Sequence, residues 1–143
     1  MSGPTANPSN CCGVSVGCCK DTAPDIVTAT ISGGLCGSFS GTLVSQGSGG
    51  NSGCWTGNIV VQLKSTGFPS ICVNQTLTFT LCSDVHGNLL LTVECGNSSQ
   101  STLPGPIGCN PMDAVFTNVP MPSMCPTLEG SLPQVEITGS ILG

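Results

Sequence analysis

The sequence has no arginine and no tyrosine, and Lys20 and Lys64 are its only cations. Charged residues make up 6 % of the chain, about a quarter of the usual ~25 %. Proteins that hold nucleic acid set a basic stripe against the phosphates, and two lysines cannot form one. Adhesion to anionic lipid is excluded on the same ground. No window approaches the ~18 consecutive apolar residues of a membrane span, so membrane insertion is not expected. Solubility must come from Ser, Thr, Asn and exposed backbone. A surface this poor in charge raises little barrier to association, which suits a protein that assembles.

Aromatic side chains are equally scarce, four Phe and Trp55, or 3 % of the chain. Such rings bury ~150–250 Å² each and dominate ordinary cores. A core short of them rests on Val, Ile and Leu, with help from cross-links. Amphipathic helices are also missing, because nothing longer than a turn or two repeats apolar residues at i, i+3 and i+4.

Residues that carry chemistry are sparse. The carboxylates Asp21, Asp25, Glu94, Asp113, Glu129 and Glu136 are scattered singly, without the pairing of glycoside hydrolysis or a calcium-loop pattern. Asp84 and His86 are the one acid and imidazole close in sequence. A Ser/His/Asp triad also needs a serine on a rigid elbow, and His86 falls in an expected hairpin turn, so it reads as a solvated histidine. No catalytic residue, metal or cofactor is expected.

What the chain does have is cysteine. Cys11, Cys12, Cys18, Cys19, Cys36, Cys54, Cys72, Cys82, Cys95, Cys109 and Cys125 are all disulfide candidates. Structural zinc favours cysteine pairs two to four residues apart with histidine among the ligands. Here there is no C-x-x-C and a single histidine, so oxidation to disulfides is the better reading. Bridges persist in oxidising surroundings such as extracellular space and virion surfaces. Eleven is odd, so at least one thiol is free or bonded between chains. Adjacent cysteines rarely bond to each other, so the pairs at 11–12 and 18–19 each reach two partners. They tie an N-terminal arm, residues 1–19, to its own domain or to a neighbouring subunit.

Residues 20–143 read as a single β domain, its part at 103–133 irregular because seven of the eleven prolines lie there. Strand patterns run through 26–32 (IVTATIS), 38–44 (SFSGTLV) and 55–63. In the last of these Trp55, Ile59, Val61 and Leu63 face in, while Thr56, Asn58, Val60 and Gln62 face out. The clearest piece is a hairpin over 76–94. Leu77, Phe79 and Leu81 share one face, a polar turn follows at 83–88, and Leu89, Leu91 and Val93 return. Cys82 and Cys95 close its base region, pairing with each other or with neighbours. Short strands follow at 114–119 and 135–142, the latter with Val135, Ile137 and Ile141 on one face. The equal spacing of Cys36, Cys54 and Cys72 is strand-and-turn rhythm, not a solenoid repeat. Seven or eight short strands predict an all-β, disulfide-stapled antiparallel β-sandwich or jelly-roll-like domain with an extended N-terminal arm. Asn74-Gln-Thr76 and Asn97-Ser-Ser99 match the glycosylation sequon, which matters only in a eukaryotic source.

The order of a Cys-Cys pair, IVTATIS, CWTGNIVV, TLTFTLC and LLLTVEC resembles the Cys-rich, Thr-rich β-strand proteins encoded in planctomycete and tailed-phage genomes. The resemblance spans roughly residues 18–95 and implies a surface or virion component. It supplies no functional residue.

The N-terminus carries an initiator Met but neither the basic nor the apolar region of a secretory signal. Removal of a signal with a Met added in cloning, export by another route, and synthesis in a cytoplasm with oxidation after lysis all fit, and the last is favoured. The sequence thus points to a structural virion protein of a bacteriophage, an outer-surface capsid decoration or cement protein. Its partners would be other copies of itself and a major capsid protein. A secreted or cell-surface adhesion or glycan-binding module, or a filament subunit, is the alternative.

Overall fold

The computed structural model describes residues 25–45, 54–83, 88–104, 112–125, 127–128 and 130–139. They form eight strands: β1 (Ile26–Gly34), β2 (Gly37–Ser45), β3 (Cys54–Lys64), β4 (Cys72–Ser83), β5 (Leu89–Cys95), β6 (Asn97–Leu103), β7 (Met112–Pro120) and β8 (Ser131–Gly139). All belong to one sheet in the order β6-β5-β4-β3-β2-β1-β8-β7, and every pairing is antiparallel. Each strand lies beside its neighbours in sequence, and β8 returns to β1. This is a meander without the long return connection of a Greek key. Of the two layouts left open by the sequence, a β-sandwich and a jelly-roll-like domain, it is nearer the first, with one sheet rolled until it is nearly closed.

The period-two pattern sets the inner face. Val27, Ala29 and Ile31 of β1 are buried, and their neighbours Thr28, Thr30 and Ser32 are half-buried. The same alternation runs through Trp55, Ile59, Val61 and Leu63 on β3 and through Leu77, Phe79 and Leu81 on β4. Trp55, Phe79 and Phe116 are the largest fully buried side chains, so three of the five aromatics fill the centre of an otherwise aliphatic core. Threonines of the outer face bond across strands. Thr78 Oγ1 donates to Asn58 Oδ1 at 2.7 Å, and Thr56 Oγ1 donates to the Phe79 carbonyl at 3.0 Å.

The sheet turns over between β2 and β3. These strands share only the pairs Val44↔Thr56 and Ser45↔Trp55. Beyond them β2 follows β1, while β3 pairs with β4 along eleven residue positions, from Cys54↔Cys82 to Lys64↔Cys72. Two four-stranded halves result, β2-β1-β8-β7 and β3-β4-β5-β6, facing one core. Glycines permit the close crossing. A Cβ on Gly41 would lie 2.7 Å from Ile59 Cγ1, and one on Gly57 would run into the Thr42 carbonyl.

The opposite seam, β6 against β7, has no ladder, and the two strands lie alongside each other. Side chains and one disulfide bridge it. Asn97 Nδ2 donates to Ser123 Oγ at 2.9 Å, Ser99 Oγ donates to the Pro120 carbonyl, and Cys95 is bonded to Cys125. Strand β6 itself, NSSQSTL, lies outside the strands expected from sequence. It has no apolar alternation, and its positions are only half-buried or exposed, so the pattern that reveals the others is missing. Pro133 is tolerated inside β8 because the β1 ladder stops one residue before it, at Ser32↔Gln134. The expected last strand at 135–142 begins earlier, at Ser131. Residues 140–142, including Ile141, lie outside the described residues, as does the arm at 1–19.

Candidate functional site

In an antiparallel meander, alternate connections fall at alternate ends. The chain enters at Asp25 and leaves at Gly139 on one end, with the β4–β5 turn. At the other end lie the connections at 35–36, 65–71, Gly96 and 121–130. Among the described residues nine large apolar side chains are exposed, and five of them, Leu35, Phe68, Ile71, Met124 and Leu128, stand on these connections. Phe68 is 102 % exposed, and the other four are each more than half exposed. Exposed apolar side chains gathered on neighbouring connections form a candidate interaction surface.

The loops that carry them are tied down. Cys36–Cys72, with Cα atoms 5.8 Å apart, fastens the β1–β2 connection beside Ile71. Ser65 N donates to the Ile71 carbonyl at 2.8 Å, and Ile71 N donates to Ser65 Oγ at 3.1 Å, closing the loop from which Phe68 projects. Leu128 N donates to the Lys64 carbonyl at 2.9 Å, bringing the long β7–β8 connection to the same place. Met124 N donates to Asn97 Oδ1 at 3.1 Å. Held in this way, the side chains lose less freedom on binding, which is what preorganisation contributes to affinity. None of the described residues in these connections is charged, and Glu129 is the one charged residue their sequence contains. The five exposed apolar side chains let such a surface act by removing apolar area from water.

The sequence-level candidates fall as follows. Six cysteines form three bridges, Cys36–Cys72, Cys54–Cys82 and Cys95–Cys125. Cys11, Cys12, Cys18, Cys19 and Cys109 lie outside the described residues, as do Asp84 and His86. Cys82 and Cys95 pair with neighbours rather than with each other. They also do not share the hairpin base: Cys82 lies opposite Leu90 near the turn, whereas Cys95 ends β5. Trp55 is fully buried and presents no face for a sugar to stack on. Asn97 of the second sequon is occupied, since its amide bonds both Ser123 and Met124.

One feature escapes a linear reading. Asp113 and Glu136 are far apart in sequence, yet they lie diagonally on the outer face of β7 and β8, whose register is Asp113↔Thr138 and Val115↔Glu136. A hydrogen bond to Asp113, then desolvation, then the repulsion of the Asp113 charge raise the Glu136 pKa above its ordinary 4.5. A carboxyl raised on folding stabilises the fold at pH below its unfolded pKa, and that contribution is lost as pH rises through the folded pKa. The absence of a G-x-S-x-G run, part of the case against a Ser/His/Asp triad, does not hold for this sequence, because Gly13-Val14-Ser15-Val16-Gly17 has that spacing of a nucleophile elbow. That elbow needs an apolar strand running into a helix, and the flanks here are two Cys-Cys pairs; the run lies outside the described residues. Phe68 had a signal available in the sequence, a large apolar residue between Gly67 and Pro69 where turn chemistry calls for polar ones.

Among the described residues no group of three His, Cys, Asp or Glu side chains could share a metal ion. Comparison with known proteins gives no match: no family model, no curated protein and no solved structure is significantly similar to the chain. The fold and its geometry therefore define the class on their own, a disulfide-stapled all-β barrel of the kind that persists in oxidising surroundings.

Proposed function

We propose that this chain is a structural subunit of an extracellular assembly, a decoration or cement protein on the outer surface of a virion, with no catalytic activity. The observation that carries this reading is the charge-poor apolar end of a cross-linked barrel, fixed in place by two disulfides. Cement proteins must hold shape outside the cell and join neighbours, and a rigid β domain with a preorganised contact end meets both needs. Outer placement follows from charge: a net charge of −5 with two lysines disfavours an inner face against packaged genome. The partners are other copies of the chain and a major capsid protein.

The test is purification of particles from the source without reductant. The chain should be present at a fixed ratio to the major capsid protein and should remain through a density gradient. Recovery of the chain only as soluble protein, with none on particles, would overturn the proposal.

A further inference from the structure

The three described bridges stand in different surroundings. Cys95 and Cys125 are buried. Cys54–Cys82 lies within the β3–β4 ladder, where the next pair, Trp55↔Leu81, holds the strands whether or not the sulfurs are joined. Cys36–Cys72 differs from both. Cys36 is half-buried in the β1–β2 turn, and Cys72 is exposed at the start of β4. No ladder joins the elements that this bridge ties together. Along β1 the ladder to β8 ends at Ser32↔Gln134, and β2 pairs with β3 only at its far end, through Val44 and Ser45. Past those pairs the hairpin tip is in register with itself, Gly34↔Gly37. The bridge therefore sets where the tip stands against the other half of the barrel. It also brings two of the exposed apolar side chains to one place. Leu35 and Ile71 are the chain neighbours of the two cysteines, whose Cα atoms are 5.8 Å apart.

We propose that Cys36–Cys72 is a redox clasp on the apolar end. In the folded protein a soluble dithiol cuts it ahead of the other two described bridges, releasing the hairpin tip while the barrel stays closed. This rests on the assembly reading above for what the end contacts, and adds a regulation: oxidation joins Leu35 to the contact surface and reduction parts it from Ile71. Thiol–disulfide exchange depends on access to the sulfur, and the exposed partner, Cys72, gives a thiolate its approach. One thiolate of the dithiol attacks a bridge sulfur, forms a mixed disulfide and expels the other cysteine as a thiolate. The second thiol of the reagent then displaces the protein and closes a cyclic disulfide. The reagent loses two electrons and two protons, and Cys36 and Cys72 take them up as thiols. A chain made in a reducing compartment acquires the joined surface only on meeting an oxidant, such as a small-molecule disulfide, that accepts the same two electrons.

The experiment treats oxidised full-length protein with dithiothreitol under native conditions. Free thiols are trapped by an alkylating reagent at successive times and located by peptide mass spectrometry. Cys36 and Cys72 should be trapped together, about tenfold or more faster than Cys54, Cys82, Cys95 and Cys125, whose sulfurs are reached only through local opening. Hydrogen exchange on the species cut at that bridge alone should rise severalfold at 33–38, with the central amides of β3 and β4 as protected as before. The variant carrying both Cys36→Ser and Cys72→Ser should fold with Trp55 buried and exchange at 33–38 like the cut wild type. It should show no further change at the dithiothreitol concentration that cuts only the clasp. Reduction of either other bridge first, or of all three together, overturns the proposal. So does unchanged exchange at 33–38 after the cut, or a double variant that does not fold. No particle enters the experiment, so failure here leaves the assembly reading standing, and failure of the chain to copurify with particles leaves the clasp standing.

Discussion

Replacing Cys95 and Cys125 together by serine should lower the unfolding free energy by about 3–4 kcal/mol, the chain-entropy value for closing a loop of about thirty residues. The seam it closes has no other strong tie. Strands β6 and β7 share no ladder, and the side-chain bonds from Asn97 and Ser99 are exposed; ordinary hydrogen bonds contribute only ~0.5–1.5 kcal/mol each. A small domain holds ~5–15 kcal/mol in all, so losing this bridge removes a large share. Equilibrium denaturant unfolding of the oxidised wild type and the double variant measures the difference. Hydrogen exchange should locate the first opening at β6, whose amides should lose protection before those of β3 and β4. A loss under about 1 kcal/mol would mean that the barrel closes there without the disulfide.

The second large effect is expected at Gly57. Its missing Cβ leaves room for the Thr42 carbonyl where β2 crosses β3, and a backbone atom cannot swing aside as a flexible side chain can. Gly57→Val should cost about 3 kcal/mol or more, the upper end for overpacking, because it can be relieved only by separating the pairs Val44↔Thr56 and Ser45↔Trp55. Gly67→Ala is the control: nothing lies within 4 Å of a Cβ built there, so it should change stability by no more than ~0.5 kcal/mol. Trp55, the one tryptophan, sits on β3 next to the crossing and is fully buried. Its emission therefore reports the disturbance directly, shifting to the red in the Gly57 variant and not in the control. Equal stability of the two variants would contradict a crossing held by glycine.

Those two sites show where a linear reading works and where it stops. Alternation of β-branched and polar residues placed β1, β3, the β4–β5 hairpin and the short strand that became β7, since each has one face in the core and one outside. It could not reveal β6, whose Ser and Gln residues border the seam and bury no apolar face. Nor could it reveal that Gly41 and Gly57 meet across a sheet corner, or that Asp113 and Glu136 become neighbours, because both follow from registers between distant strands. Disulfide partners were hidden for the same reason. Cys54 and Cys82 are paired because their strands align residue for residue, not because of their spacing. The apolar end was partly legible: Leu35, Phe68, Met124 and Leu128 stand in or beside connecting segments rich in Gly, Pro, Ser and Thr. Their convergence at one end needed the strand order.

The claim that this end makes the assembly contact is tested most directly by oxidative footprinting with mass spectrometry, comparing free protein with the assembled particle. Phe68 and Met124, both exposed in the single chain, should be oxidised readily in free protein and protected in the particle. Val60 and Val115, exposed on the outer strand faces, serve as internal references for overall accessibility. Protection of Phe68 and Met124 well beyond that of the two valines is the result this account predicts. Phe68 and Met124 as open in the particle as in free protein would contradict it.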